Sequence, residues 1–305
     1  MKSLGKIIRS VRAFSRGLSG KPALTAEKDV RIGLALGGGF ARGIAHIGVL
    51  KVLEEENIPI SLIAGTSVGA LMGAAYCSGV SIEELEMIAR RVRFRTFARW
   101  TVSRLGFASN ERMIGFLNSI LKVKTFEELS IPLAVTATDF CTGDGVVFHS
   151  GPLADPVRAS CAYPGMFLPV KIRGRVLVDG MLAHAVPTVP LREMGADRVI
   201  AVHLKGNWAN GDGPRHLFDV IGQCFAIAQE MTSERWKRAA DLVIEPDVKS
   251  FKYDAFEHSA AMVRAGEEAT RAALPQIRQW LKAEEPETAR ATTPRVAQPA
   301  VMPAD

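Results

Sequence analysis

The stretch that decides the fold is Arg31-Ile-Gly-Leu-Ala-Leu36, followed directly by Gly37-Gly-Gly39. A short, mostly apolar run that ends abruptly at glycines is typical of a buried strand entering a loop. Apolar residues then recur at helical spacing, at positions 44, 47, 50 and 53, until Asn57 and Pro59 end the pattern. This part of the chain is therefore predicted to be a strand, a glycine loop and a helix.

The same order of elements repeats immediately afterwards. Ile60–Ala64 predicts a second strand, and a helix of small residues follows the next turn and runs to about Ser78. Strand and helix that alternate twice over a short distance predict a parallel sheet with helices on its faces. Further strands are expected at 132–138, 146–149 and 198–203, a hairpin at 170–178, and helices at 214–240 and 258–282.

One segment carries no charged side chain from Ile58 to Ile82, which is long enough for a membrane span. However, it contains Pro59 and several glycines and serines. A strand, turn and helix buried in a parallel sheet are equally uncharged, because both faces of such a sheet are covered. We therefore expect the strand–turn–helix structure here.

The composition is that of a globular protein: 305 residues, 48% hydrophobic and 23% charged. It excludes a mostly disordered, collagen-like or disulfide-rich secreted chain. The formal net charge of +6 lies entirely in residues 1–25, which hold six bases and no acid, so the remainder is formally neutral.

Residues 1–28 form a basic segment with apolar residues at helical spacing, at positions 4, 7, 8, 11, 14 and 18. This pattern favours an amphipathic helix that lies on an anionic membrane surface. A frayed tail, or a helix packed on its own domain, are the alternatives. A secretory signal is rejected, because bases and small polar residues interrupt the apolar run.

A second basic stretch, residues 90–107, holds six arginines and no acid, interleaved with Phe94, Phe97, Trp100 and Phe107. Aromatic rings with arginines suit single-stranded nucleic acid, a lipid–water interface or a lid over an apolar pocket. A partly buried connecting segment is the simplest alternative. The segment alone does not choose among these.

The four cysteines, at positions 77, 141, 161 and 224, show neither a Cys-x-x-Cys pair nor zinc-ligand spacing. They predict reduced thiols, a cytoplasmic location and no metal site. From Glu284 the chain turns to Pro, Thr, Ala and Glu, so residues 284–305 are expected to be a disordered tail.

The segment Gly65-Thr-Ser67-Val-Gly69 fits the pattern G-x-S-x-G between a predicted strand and a predicted helix. A sharp strand-to-helix turn needs small neighbours and exposes the serine hydroxyl at the carboxyl edge of the sheet. Ser67 is therefore a candidate nucleophile. A glycine-rich turn with a capping serine is the alternative.

The loop Gly37–Gly43 offers backbone N–H groups without obstruction by side chains. Such groups stabilise an oxyanion in acyl transfer, or they cradle a phosphate. Nucleotide patterns fit poorly, because Ile44 stands where a Walker loop needs lysine and Arg42 where a dinucleotide loop needs its third glycine.

A nucleophilic serine needs a base, and none of the six histidines has the position that a serine–acid–histidine triad requires. Asp179 follows the apolar run Val176–Val178 and precedes Gly180, so it is predicted at the end of a strand. An ordinary turn aspartate is the alternative.

Taken in order, these motifs resemble the patatin-like phospholipase family, in its bacterial branch. The resemblance covers residues 31–205 and extends in outline to 282. Two further stretches fit it, Val157–Ser160 with Tyr163–Gly165, and Gly195–Ile200.

The resemblance implies a three-layer α/β/α fold with a mainly parallel central sheet over residues 29–283. It also implies a Ser–Asp dyad without histidine, in which Ser67 is the nucleophile and Asp179 the general base. The oxyanion hole would be formed by the N–H groups of three glycines, Gly37, Gly38 and Gly39. Supporting roles in the motifs fall to Arg42, Gly43, Gly65, Gly69 and Gly180, and no metal or cofactor is expected.

The expected substrates are phospholipid or lysophospholipid acyl esters. An anionic membrane surface, contacted through residues 1–25 and 90–107, is a further expected partner, which would give a cytoplasmic protein that associates peripherally with membranes. Nucleic acid is not expected. One departure is Met181, where the family has Gly or Ala after Asp-Gly. It motivates the alternative of a catalytically weak lipid-binding or regulatory protein.

Overall fold

The computed structural model describes residues 30–101, 103–206, 213–214 and 217–282. Within them, Val30–Trp280 form one compact unit. The predicted amphipathic segment 1–28 and the predicted tail 284–305 lie outside the described residues.

The described chain alternates strands and helices over most of its length. The strands are β1 (Ile32–Leu36), β2 (Ile60–Thr66), β3 (Arg99–Trp100), β4 (Ala108–Ser109), β5 (Leu133–Asp139), β6 (Gly145–Phe148), β7 (Val170–Ile172), β8 (Arg175–Asp179), β9 (Arg198–Val202) and β10 (Leu242–Ile244). The helices are α1 (Ala45–Glu55), α2 (Val68–Cys77), α3 (Ile82–Arg91), α4 (Phe94–Phe97), α5 (Arg112–Ile120), α6 (Ala154–Ser160), α7 (Thr188–Glu193), α8 (Leu217–Met231), α9 (Glu234–Arg238) and α10 (Ser259–Lys282). Short 3₁₀ helices cover Phe40–Ile44, Phe126–Glu128, Gly180–Leu182 and Phe256–His258.

The central sheet has the strand order β10-β9-β1-β2-β5-β8-β7, with β6 also paired to β5. Pairing is parallel from β10 to β5 and antiparallel between β5, β6, β8 and β7. The prediction of a mainly parallel sheet is confirmed. The hairpin expected at 170–178 is also confirmed, as β7 and β8.

Helices cover both faces of the sheet. Alternate residues of each strand point to opposite faces, so each strand packs against helices on both sides. On one face, Ala35, Ala64 and Ala201 belong to a buried cluster with Leu191 of α7 and Trp236 of α9. On the other face, side chains of β1, β2 and β5 crowd the small residues of α2, so that a Cβ at Gly73 would lie 3.1 Å from Leu133. The uncharged segment from residue 58 to 82 is therefore a buried strand and helix, as expected.

Among the described residues, every helix is too short or too polar to cross a membrane. The helical stretch expected over 214–240 is divided: α8 ends at Met231 and α9 begins at Glu234. At the division, the N–H of Ser233 donates to the carbonyl of Glu230 at 3.2 Å, three residues back, where a continuing α-helix bonds four residues back.

Candidate active site

Ser67 stands at the tight turn between β2 and α2. Its backbone has φ 55° and ψ −123°, a region that residues with a side chain rarely adopt. Such strain costs on the order of 1–3 kcal/mol and persists only when the surroundings hold it. The turn places Ser67 at the N-terminus of α2, where the helix dipole favours negative charge.

Close packing around Ser67 and Asp179 requires glycine at four positions. A Cβ at Gly65 would lie 2.5 Å from the Cα of Ala70, and one at Gly69 would overlap the carbonyl oxygen of Leu36. A Cβ at Gly43 would overlap the side chain of Val68, and one at Gly180 the backbone of the neighbouring strand β5. The structure thus places all four of these predicted glycines at close contacts around Ser67 and Asp179.

The structure brings Ser67 and Asp179 together. The Ser67 hydroxyl donates to Oδ2 of Asp179 at 2.7 Å, although 112 residues separate the two in sequence. Asp179 is the last residue of β8, which pairs with β5, which in turn pairs with β2. Its other oxygen, Oδ1, accepts from the N–H of Met181 at 3.0 Å. The carboxylate is therefore fixed on both sides.

The environment of Asp179 changes its acidity. The residue is fully buried, whereas Ser67 is 9% exposed. Desolvation raises the pKa of Asp179 to about 7, although the hydrogen bonds from Met181 and Ser67 act in the opposite direction. Burial disfavours the charged form of a carboxyl group, and here it brings the pKa into the range of a useful general base.

The three glycines of the predicted oxyanion hole differ from one another. The N–H of Gly37 donates to the carbonyl of Val202 at 3.1 Å, and that of Gly38 to the carbonyl of Ala185 at 3.2 Å. For the N–H of Gly39, the described residues supply no such acceptor. Two of the three predicted amides are therefore already engaged, which the sequence does not reveal.

The glycine loop, residues 37–43, nevertheless lies against Ser67. A Cβ built on Gly38 would be 3.4 Å from the Cβ of Ser67. Arg42 is buried, and its Nε donates to the carbonyl of Gly39 at 3.4 Å. Desolvation lowers the pKa of Arg42 to about 10, which leaves the guanidinium charged at neutral pH.

Two side chains at the site were not singled out from the sequence. The Ser160 hydroxyl accepts from the N–H of Ser67 at 2.7 Å, and His46 contacts the carbonyl of Gly37 through Nε2 at 2.9 Å. Ser160 is the last residue of Val157–Ser160, a stretch that fits the family but to which the sequence assigns no function. For His46 the sequence offers no signal except its position three residues after Gly43.

Ser67 lines an apolar pocket. The cavity lies between α2, α3 and α5, and Cys161 and Tyr163 line it near the serine. Its lining is almost entirely hydrophobic: it includes Leu71, Met72, Leu85, Ile88, Met113, Phe116 and Ile120. A pocket with this apolar lining suits the hydrocarbon chain of a ligand.

In the described part of the chain, no three His, Cys, Asp or Glu side chains cluster closely enough to hold a metal ion.

The fold and the turn define an α/β protein that carries a serine between a strand and a helix. The model of the patatin-like phospholipase family matches residues 34–192, so the chain belongs to that family. The family prediction made from the ordered motifs is thereby confirmed.

Curated relatives agree with this assignment. An uncharacterized NTE family protein of Mycobacterium tuberculosis is 38% identical over 182 residues, which are 59% of this chain and 50% of that protein. A protein named lysophospholipase NTE1, from Mycosarcoma maydis, is 30% identical over 230 residues, 72% of this chain and 12% of its own length. The chain thus spans about half the length of the mycobacterial relatives it matches, and much less of the fungal one.

Among solved structures, the crystal structure of VipD from Legionella pneumophila has a TM-score of 0.50 to this chain at 15% sequence identity. The likeness covers 81% of this chain and 67% of VipD. At this identity it supports the fold, the predicted layered α/β architecture.

Proposed function

We propose that this protein is a lipid acyl hydrolase that acts through a dyad of Ser67 and Asp179. The observation that carries the proposal is the 2.7 Å hydrogen bond between the two side chains, with Ser67 on the wall of an apolar pocket. Membership in the patatin-like phospholipase family supports hydrolysis of lipid esters.

In the first half of the proposed reaction, Ser67 Oγ bonds to the ester carbonyl carbon while its proton passes to Oδ2 of Asp179. The carbonyl electron pair becomes an oxyanion. When the tetrahedral intermediate collapses, the alcohol leaves with the proton from Asp179 and the acyl group stays on Ser67. In the second half, water gives its proton to Asp179 and attacks the acyl-enzyme, which releases the fatty acid and restores the Ser67 hydroxyl.

We assign the oxyanion to backbone donors that do not hold a carbonyl within the described residues. The N–H of Gly39 is one, because the amides of Gly37 and Gly38 already hold carbonyls. The N–H of Val68 is the other, since the first residues of a helix have no intrahelical acceptor and the residue after the nucleophile commonly serves this role. Losing one such donor typically lowers the rate by about 10²–10³-fold.

The proposed substrates are acyl esters of phospholipids or lysophospholipids. The hydrophobic lining of the cavity would hold one acyl chain with its ester at Ser67. Tyr163 and Phe167 stand among the aromatic residues around this space.

We further propose that residues 90–107 bring the cavity to an anionic membrane. Trp100 is 65% exposed and Leu105 69%, and the six arginines of the segment are exposed as well. The ring of Phe94 packs against the rings of Trp100 and of Phe167, which lines the pocket. The centroid–centroid distances are 5.4 Å and 5.8 Å. The segment thus connects the cavity to a basic, aromatic surface of the kind that binds lipid headgroups. The companion prediction for residues 1–25 lies outside the described residues.

The alternative of a catalytically weak lipid-binding protein rested on Met181. Its N–H supports Asp179, and its side chain is buried in an aromatic cluster with Tyr163 and Phe167. This accommodation favours the hydrolase over the alternative.

The test is covalent labelling. A fluorophosphonate should modify wild-type protein on Ser67, and the Ser67→Ala variant should neither be labelled nor hydrolyse a lysophospholipid. Hydrolysis by the wild type should rise with pH through about 7, because only unprotonated Asp179 accepts the proton. Equal turnover by wild type and Ser67→Ala would reject the dyad.

A further inference from the structure

His46 lies in the first turn of α1 and is fully buried. Its Nε2 is 2.9 Å from the carbonyl oxygen of Gly37. A carbonyl oxygen can only accept, so Nε2 carries the proton of the imidazole. Burial lowers the pKa of His46 to about 4, so the ring is neutral at physiological pH.

The other ring nitrogen, Nδ1, is buried and has no hydrogen-bond partner among the described residues. A buried acceptor without a partner is unfavourable, and an apolar side chain of similar size would avoid it. Space filling alone therefore does not account for an imidazole at this position. The bond from Nε2–H to Gly37 is the interaction that only the polar ring supplies.

That bond acts on a single peptide plane. In a trans peptide, the carbonyl of Gly37 and the N–H of Gly38 point in opposite directions. His46 holds the carbonyl edge, and Ala185 accepts from the N–H edge at 3.2 Å. The acceptor Ala185 follows His184, whose carbonyl accepts from the hydroxyl of Thr66 at 2.7 Å. This bond ties the segment that holds the Gly38 N–H to strand β2.

The peptide between Gly37 and Gly38 is the first in a run of three glycines, and glycine has the greatest backbone freedom of all residues. It also fixes the position of Gly38 beside Ser67, and with it the direction in which the chain enters Gly39. A change in the tilt of this plane would move every following amide of the loop.

We propose that His46 is a positioning residue, which through its bond to the Gly37 carbonyl aims the N–H of Gly39 at the oxyanion formed on Ser67. The inference rests on the proposed function. It assigns His46 no contact with substrate and no proton transfer.

The experiment compares His46→Met, which removes the donor, with His46→Gln, whose side-chain amide can donate at a similar reach. His46→Met should lower kcat for ester hydrolysis by about 10–100-fold with little change in KM, because misplaced groups cost rate more than binding. His46→Gln should recover most of the loss. Ile47→Val, a buried change on the same helix without a hydrogen bond, should leave kcat close to that of the wild type.

Amide hydrogen exchange in residues 37–43 gives a readout that needs no turnover. Exchange should be faster in His46→Met than in the wild type and His46→Gln. If the wild type hydrolyses nothing, the proposed function fails, yet this exchange comparison still decides the role of His46. Equal exchange in all three proteins, or equal loss of kcat in both variants, overturns the inference.

Where His46→Met does not fold, ¹⁵N NMR of the wild type decides instead. The neutral tautomer protonated on Nε2 supports the inference, and the tautomer protonated on Nδ1 overturns it.

Discussion

The two halves of the site stand on different regions of one sheet. Ser67 follows β2, a strand of the parallel region, and is held by a strained turn with glycines on either side. Asp179 ends β8, in the antiparallel region, and is held by hydrogen bonds in a fully buried environment. Ser67 is therefore placed by steric constraints close in sequence, whereas the raised pKa of Asp179 comes from desolvation created by distant segments.

The largest expected effect tests whether the two halves act as one unit. Ser67→Ala and Asp179→Asn should each lower kcat/KM by about 10⁴-fold or more, and the double variant should lose no more than the worse single variant. Steady-state kinetics on one lysophospholipid measures all four proteins. Additive losses would show that the two residues contribute independently.

The sequence predicts these two halves unequally. Ser67 and its glycines are recognisable locally, because a tight turn between a strand and a helix needs small residues at fixed spacing. Asp179 alone looks like a turn aspartate, and its pairing with Ser67 was implied only by the family resemblance.

What the sequence could not supply depends on residues far apart in the chain. The acceptors of the Gly37 and Gly38 amides, Val202 and Ala185, lie about 150 residues downstream. The bond from His46 to Gly37 spans nine residues, but nothing in the pattern of α1 separates His46 from an ordinary core residue.

The burial of Asp179 predicts how the stability of the protein depends on pH. The folded-state pKa of Asp179 is raised from 3.8 to about 7, so the folded protein holds this proton more tightly than the unfolded chain. The stability that this proton supplies is fully present below about pH 4 and lost as pH rises through about 7. Above pH 7 the buried carboxylate should destabilise the fold by up to about 4 kcal/mol.

Asp179→Asn removes that charge and should be more stable than the wild type at pH 8. The difference should shrink to nearly nothing below pH 4, as measured by thermal unfolding across this range. Ser67→Ala keeps the carboxylate buried but removes a hydrogen bond that lowers its pKa. As the control it should lose stability with rising pH as the wild type does, with the midpoint moved to higher pH. A constant difference at all pH values would contradict the assigned cause.

The close packing around the Ser67 turn also predicts an effect on the free energy of unfolding, smaller than that of Asp179. Gly69→Ala forces a methyl group into the carbonyl of Leu36 and should destabilise the protein by about 3 kcal/mol. Gly115 lies inside the surface helix α5 with no atom within 4 Å of an added Cβ. Gly115→Ala should therefore stabilise by about 1 kcal/mol, because alanine is the better helix former. Urea unfolding compares the two, and a neutral Gly69→Ala would show that the turn can relax.

The smallest expected effect concerns a surface that belongs to neither half. Arg99 and Arg104 are exposed within residues 90–107. Replacing both by Gln should weaken binding to vesicles that contain phosphatidylglycerol by about tenfold, since each base near an anionic surface adds a modest attraction. Binding to phosphatidylcholine vesicles should change little, and added salt should reduce the difference. Lys171→Gln with Arg173→Gln, on the β7–β8 hairpin, provides a matched control of equal charge change.

This last comparison separates docking from chemistry. Because Arg99 and Arg104 lie at the surface and the dyad is buried, the double variant should hydrolyse a short-chain, water-soluble ester at the wild-type rate. Its activity should fall only on anionic vesicles, where the basic segment would deliver the substrate to the cavity. A loss on both substrates would mean that the segment shapes the cavity through Phe94 and Phe97. An equal loss from the hairpin control would mean that net charge alone governs the encounter.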